Sequence, residues 1–229
     1  MKLTDRLLKI ASLVSRGKKI ADIGTDHGYI PVYLLNQGVV NYAILADINK
    51  GPLENARKEV TRNKLTDKVD LRLGSGIEVL KEGEVEEVII AGMGGSLINE
   101  ILMANEKVAH TTEKFILQPM QNPEDLREYL YKNGYEILDE CLVREDHRIY
   151  EIIVCRYKNL PPREKDSIYY EVGEKLIEKK DPLLEEFIQN KIRMNNNILN
   201  KLDKVDAASV EDRKIVVSKN IEALNSLLK

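Results

Sequence analysis

Tryptophan is absent from these 229 residues, cysteine and phenylalanine occur twice each, and histidine occurs three times. Each scarcity removes a class of explanation. Cys141 and Cys155 form no C-x-x-C pair and have no metal-ligand spacing, and with so few histidines no Cys/His cluster exists to hold zinc. Both are expected to be small, buried apolar groups on one hairpin. No apolar run reaches the roughly 18 residues of a membrane helix, and the N-terminus lacks a signal-peptide core, so the expected location is cytoplasmic. Charge of one sign is also missing. The formal net charge of −3 is not the balance of a protein that binds nucleic acid through bulk positive charge. Residues 161–229 carry 13 basic and 13 acidic side chains, so the deficit lies in residues 1–160, and local basic patches remain open.

What is present is 43% hydrophobic and 32% charged residues, a balance that supports one α/β domain with an appendage. The chain is organised around Asp22-Ile23-Gly24-Thr25-Asp26-His27-Gly28-Tyr29. An apolar run, Ile20 to Ile23, precedes it and a helical pattern, Tyr29 to Leu35, follows, which is a strand, a glycine turn and a helix start. Such a turn admits a ligand close to the backbone and offers it helix-terminal N–H groups. A dinucleotide fingerprint would have glycine where Asp26 stands. A carboxylate there opposes a pyrophosphate and suits a cation, such as the sulfonium and ammonium of S-adenosylmethionine. The Asp-x-Gly-x-Asp-x-Gly spacing resembles the first motif of Rossmann-like methyltransferases.

Thr4 is the expected N-cap of a first helix carrying Leu7, Leu8, Ala11 and Val14, with Gly17 ending it. Lys18–Gly24, Tyr42–Asp47, Val69–Leu73, Glu86–Met93 and Lys114–Leu117 read as strands, and Tyr29–Gln37, Gly51–Asn63 and Glu124–Lys132 as helices. Asp47 ends a strand in register with the glycine turn, where an acid takes both hydroxyls of a ribose; it could instead cap the next helix. Gly74-Ser75-Gly76 lies where methyltransferases seat an adenine, with Ser75 replacing the usual acid or amide. Ala91-Gly92-Met93-Gly94-Gly95 lacks the Asn/Asp-Pro-Pro motif of adenine-N6 methyltransferases and leaves a glycine-lined floor. Gln118 heads a proline loop where its amide could read a base edge or cap the turn. Tyr135–Arg144 and Ile149–Tyr157 form a hairpin across Glu145-Asp146-His147-Arg148. A last strand inserted antiparallel distinguishes this sheet from an NAD-binding one.

Pro161-Pro162 ends the strand pattern and opens an all-helical segment, giving expected domains 1–160 and 161–229. Helices are expected over Glu164–Lys179, from Asp181-Pro182 to Lys204, and after a cap at Ser209. The second carries Leu183, Phe187, Met194, Ile198, Leu202 and Val205 on one stripe and the third Val217, Ile221, Leu224 and Leu228. These seams suit a coiled-coil-like antiparallel hairpin about 33 Å long. Met194 and Phe187 read as core, and Asn195-Asn196-Asn197 as a solvated face.

Taken together, the glycine turn at 22–29, Ala91-Gly92-Met93-Gly94-Gly95, Gln118-Pro119-Met120 and the helical hairpin resemble the bacterial tRNA (adenine-22-N1)-methyltransferases along the whole chain. The resemblance implies a Rossmann-like sheet, mostly parallel with an antiparallel last strand, S-adenosyl-L-methionine as donor and tRNA as substrate. The expected donor contacts are Asp22, Gly24, His27, Gly28, Asp47, Ile48, Gly74, Ser75, Gly76, Ala91, Gly92 and Met93. The expected substrate contacts are Arg6, Tyr29, Gly94, Gln118, Pro119 and Arg144. Asp26 is the expected catalytic residue, placed to stabilise a cationic product. No metal and no membrane partner are expected, and a monomer is expected over a dimer. Two other readings stay open: a methyltransferase acting on another RNA or a small molecule, and a non-catalytic helical interaction module.

Overall fold

The computed structural model describes residues 3–203 and 210–228. They fall into two compact units divided after Glu164. In the first unit the elements run α1 (Asp5–Ser12), β1 (Lys19–Ile23), α2 (Tyr29–Asn36), β2 (Tyr42–Asp47), α3 (Lys50–Arg62), β3 (Val69–Leu73), β4 (Glu87–Gly94), α4 (Gly95–Ala104), α5 (Glu106–Thr111), β5 (Lys114–Gln121), α6 (Pro123–Lys132), β6 (Tyr135–Glu145) and β7 (Arg148–Tyr157).

The strands form one seven-stranded sheet in the order β3-β2-β1-β4-β5-β7-β6. The first five are parallel, and β7 runs antiparallel between β5 and β6. Central parallel strands are covered on both faces and need continuous aliphatic runs. Ile20 and Ala21 on β1, Ala43 to Ala46 on β2, Val88 to Ile90 on β4 and Phe115 to Leu117 on β5 supply them, all buried. The expected antiparallel hairpin is therefore present, and Cys141 and Cys155 lie buried on its two strands. Burial pushes the Cys155 thiol far above its ordinary range.

Several boundaries move. α1 starts at the expected cap, Thr4 accepting the Leu7 N–H, but it ends at Ser12, well before Gly17. The Leu13 and Val14 N–H groups turn back to Ile10 and Ala11, tightening the last turn, and Gly17 instead serves the loop into β1 with φ +83. β5 runs on through Gln118-Pro119-Met120, where the sequence predicts a loop. Its pairing with β4 shifts register at Met93 and Gly94, so Pro119 sits at an irregular edge where its missing N–H is tolerated. α4 and α5 have no counterpart in the sequence reading.

The corner between β4 and α4 packs tightly. A Cβ at Gly95 would strike the Asn122 backbone carbonyl, and Asn122 itself holds a left-handed conformation at φ +51. Backbone cannot swing aside as a side-chain tip can. Gly95→Ala is therefore expected to destabilise the fold by about 1–3 kcal/mol, read as a lower urea midpoint at unchanged slope. An unaltered midpoint would show that the corner has slack.

The second unit contains α7 (Ser167–Val172), α8 (Glu174–Glu178), α9 (Leu184–Leu202) and α10 (Glu211–Ser226). The single helix expected over Glu164–Lys179 is two, because Gly173 adopts φ +90 between them. α9 and α10 pack as a hairpin, with Phe187, Ile188, Val217 and Leu224 buried. Met194 is not core: it is 64% exposed, since the apolar stripe rotates away from it. Lys204, Val205 and the cap expected at Ser209 lie outside the described residues.

Candidate functional site

Parallel strands bring their C-terminal ends to one edge, and most of the expected site residues gather there. Gly24 follows β1, Asp47 closes β2, Gly74 follows β3, and Ala91 to Gly94 end β4. The sheet order reverses between β1 and β4, which is where an open α/β sheet forms a ligand crevice. Gly24 (φ +76) and Thr25 donate their N–H groups to the Ala46 carbonyl, folding the turn back over β2. Gly28 caps α2 in a left-handed conformation, where a Cβ would approach Leu45 Cδ2 to 2.6 Å. Among the described residues no side chain caps this helix start, so its first N–H groups are left for solvent or a ligand. The Met93 side chain reaches across and rests against Gly24.

Three acids shape the electrostatics. Asp22 is buried at the end of β1; burial pushes its carboxyl up to about 6, the neighbouring Thr25 hydroxyl pulls it down, and the Asp47 carboxylate adds to the rise. A buried acid in that state is a site that gains from a cation. Asp47 accepts the Asn49 N–H at 2.7 Å, and Asn49, not Asp47, is the N-cap of α3. Asp26 projects into solvent, its side chain 71% exposed, with His27 Nε2 3.2 Å away. His27 stacks on Tyr29 at 4.9 Å between ring centroids. Beside the acids lie exposed apolar surfaces, Ile48 at 68% and Leu73 at 49%, at the ends of paired strands. Ser75 and Gly76 open the 3-10 turn that follows.

The β4 floor divides by function. Gly92 and Gly94 have open space where a Cβ would stand, whereas Gly95 is packing. A cleft of about 450 Å³ lies between α1, α2 and α3, and Tyr29 is the one expected site residue that lines it.

On the far side of the edge, Arg6 and Gln118 meet: Arg6 Nη1 donates to Gln118 Oε1 at 2.7 Å. Gln118 is fully buried and its amide nitrogen donates to the Pro119 carbonyl at 2.8 Å. Its amide is thus engaged on both sides, matching the turn-capping alternative rather than a free edge offered to a base. Arg144 is exposed on β6, and because strand neighbours face opposite ways, Glu145 is the residue that turns toward Arg6. Glu145 and the Tyr150 ring, whose centre lies 5.3 Å from the Arg6 guanidinium carbon, are the neighbours of Arg6 that sequence reasoning did not single out; an acid at a hairpin end signals nothing until the partner across the sheet is known.

This edge can hold a ligand with a cationic end near Asp22, a diol near Asp47 and a flat apolar part near Ile48 and Leu73. That fits a sulfonium-bearing nucleoside better than a pyrophosphate. Among the described residues no group of acids, histidines or cysteines could hold a metal ion.

Residues 3–153 match the family described as Methyltransferase domain. The tRNA (adenine(22)-N(1))-methyltransferase of Bacillus subtilis is 39% identical over 154 residues, 67% of this chain and 65% of that enzyme, so the aligned stretch spans just under two thirds of the relative. A crystal structure of the B. subtilis M1A22 tRNA methyltransferase superposes with a TM-score of 0.89 at 29% identity, covering 100% of this chain and 99% of that one. A Streptococcus pneumoniae putative tRNA (m1A22) methyltransferase, solved in complex with S-adenosyl-L-methionine, gives 0.84 at 29% identity with 100% of both chains covered.

Proposed function

This chain belongs to the methyltransferase-domain family, and we infer that, like the tRNA (adenine-22-N1)-methyltransferases it resembles, it transfers a methyl group from S-adenosyl-L-methionine to N1 of adenine-22 in tRNA. The observation that carries the reading is the donor edge, a buried Asp22 beside a glycine turn at the switch point of the sheet. Asp22, Gly24, His27 and Gly28 would hold the amino-acid end of the donor, and Asp47 the ribose hydroxyls. Ile48, Gly74, Ser75 and Gly76 would seat the adenine, with Ala91, Gly92 and Met93 beneath the reacting centre. Bound S-adenosylmethionine supplies an electrophilic sulfonium methyl.

The chain's own contribution is alignment and electrostatics. Adenine N1 has an in-plane lone pair, so the N–C bond forms as the C–S bond breaks, with no prior deprotonation. The open floor at Gly92 and Gly94 lets the acceptor ring approach, and holding the reacting atoms about 3–3.5 Å apart in line converts encounter into reaction. The product ring is cationic, and the Asp26 carboxylate stabilises the charge that develops on it. Tyr29, already stacked on His27, offers a face to the extruded base. Arg6, Pro119 and Arg144 belong to the tRNA side.

The test is transfer of labelled methyl to unmodified tRNA transcripts, followed by nuclease digestion and mass spectrometry. 1-Methyladenosine is expected, and its loss when adenine-22 is replaced by guanine fixes the position. Donor binding without transfer to any transcript would sink the assignment.

Donor affinity should also depend on pH. Below about 6 Asp22 holds its proton and cannot attract the donor's ammonium, so affinity rises with pH through that value and levels off above it. The stability linkage has the opposite sense: the folded carboxyl titrates near 6 and its ordinary value is 3.8, so the donor-free protein loses stability as pH climbs from 3.8 through 6. Asp22→Asn should flatten the binding profile; a titration from about pH 5 to about pH 8 that is flat in the wild type would contradict the role.

A further inference from the structure

Arg6 stands at the edge of the sheet held on three sides. Its Nε lies 3.4 Å from Glu145 Oε1 and its backbone N–H donates to Glu145 Oε2 at 3.1 Å. Its Nη1 donates to Gln118 Oε1 at 2.7 Å. Its guanidinium carbon sits 5.3 Å from the centre of the Tyr150 ring. Burial would raise the Glu145 carboxyl, but hydrogen bonds from Thr4 and the Arg6 backbone, with the guanidinium itself, hold it below the usual carboxylate range.

Such fixing has a recognisable chemistry. Arginine is donor-only, so Gln118 must turn its oxygen to Arg6 and its nitrogen to the Pro119 carbonyl. One glutamine therefore ties the guanidinium to the bulged end of β5, beside the β4 floor that pairs with it. Glu145 and Gln118 engage the Nε and Nη1 donors, and the side chain remains 20% exposed at the edge. A planar fork held by two acceptors and a ring, with its Nη2 engaged by no described residue, suits the oxygens of a phosphate.

We propose that Arg6 grips an RNA phosphate beside the target adenosine, and that Gln118 and Glu145 are positioning residues that act through it. This inference rests on the methyl-transfer reading above. It also explains why a buried glutamine with no base-reading edge occupies the acceptor side.

The test uses the full chain and a tRNA transcript, with Arg6→Met, Gln118→Met and the double variant. Arg6→Met is expected to raise KM for tRNA about tenfold, more than it lowers kcat. It should reduce the slope of log affinity against log salt by about one. Gln118→Met keeps the charge, so it should raise KM while leaving the slope close to wild type. In the double variant the Gln118 change should add nothing to the Arg6 change. Additive effects, or an altered preference between adenine and 2-aminopurine at position 22 in Gln118→Met, would overturn the proposal. If Gln118→Met fails to fold, the Arg6→Met salt slope decides alone, an unchanged slope overturning it. A wild type that methylates no transcript would refute the underlying reading first, before any variant is compared.

Discussion

Replacing Asp26 by alanine is expected to lower kcat for methyl transfer about 100-fold while donor affinity changes by no more than about threefold. Removing a group aimed at transition-state charge typically costs about 10²–10³ in rate. The lower end applies here because the side chain is 71% exposed, and water screens part of its field. The contact with His27 Nε2 at 3.2 Å restrains the carboxylate on the turn without burying it. RNA covering the edge would exclude water and strengthen the same charge.

Single-turnover rates at saturating donor and tRNA, alongside calorimetric donor binding, separate two jobs that Asp26 could do. A carboxylate that stabilises the methylated ring shows its loss in the rate. A carboxylate that holds the donor's amino group shows its loss in donor affinity, with the saturated rate nearly kept. Asp26→Asn refines the result, since it preserves shape and one acceptor oxygen but removes the charge. Full rate in the Asp26→Asn variant would exclude charge stabilisation by this residue.

The edge that carries Asp26 was legible because short-range chemistry writes it. A strand, two positive-φ glycines and a helix start are contiguous in sequence, so Gly24 and Gly28 announce the turn before any contact is known. Asp47 and Gly74 follow from strand ends at regular spacing. The antiparallel β6–β7 pair was readable from a short polar turn between two apolar runs. Pairings distant in sequence were not legible. Gln118 looked like a loop amide because Pro119 normally breaks strands, and only the register shift against Met93 and Gly94 explains how the strand continues. Its partner Arg6 lies 112 positions away, and no local pattern marks that contact. Gly95 and Gly92 look alike in sequence, yet the first is packed against Asn122 and the second is open. Met194 fitted a heptad stripe, but α9 follows its own period and turns that position to solvent.

The same limit hid a buried ion-paired residue outside the site. Arg127 on α6 is fully buried, its Nε 2.6 Å from Glu140 on β6 and its Nη2 2.6 Å from Glu151 on β7. Burial alone would lower its basicity, but the two carboxylates overrule that and hold the guanidinium firmly protonated. One cation thus joins a helix to both strands of the hairpin, and β7 in turn pairs with β5. Arg127→Met is expected to cost about 3–5 kcal/mol, because it takes away the cation that both buried carboxylates pair with. Urea unfolding should show the loss as a lower midpoint, with the donor edge intact in whatever fraction remains folded. Adding Glu140→Gln and Glu151→Gln to Arg127→Met should recover much of the loss, since neutral side chains carry a far smaller burial penalty. No recovery would mean that packing of the arginine stem, rather than charge balance, holds the hairpin to α6. A wild-type midpoint in Arg127→Met would mean that the triad contributes nothing net to stability.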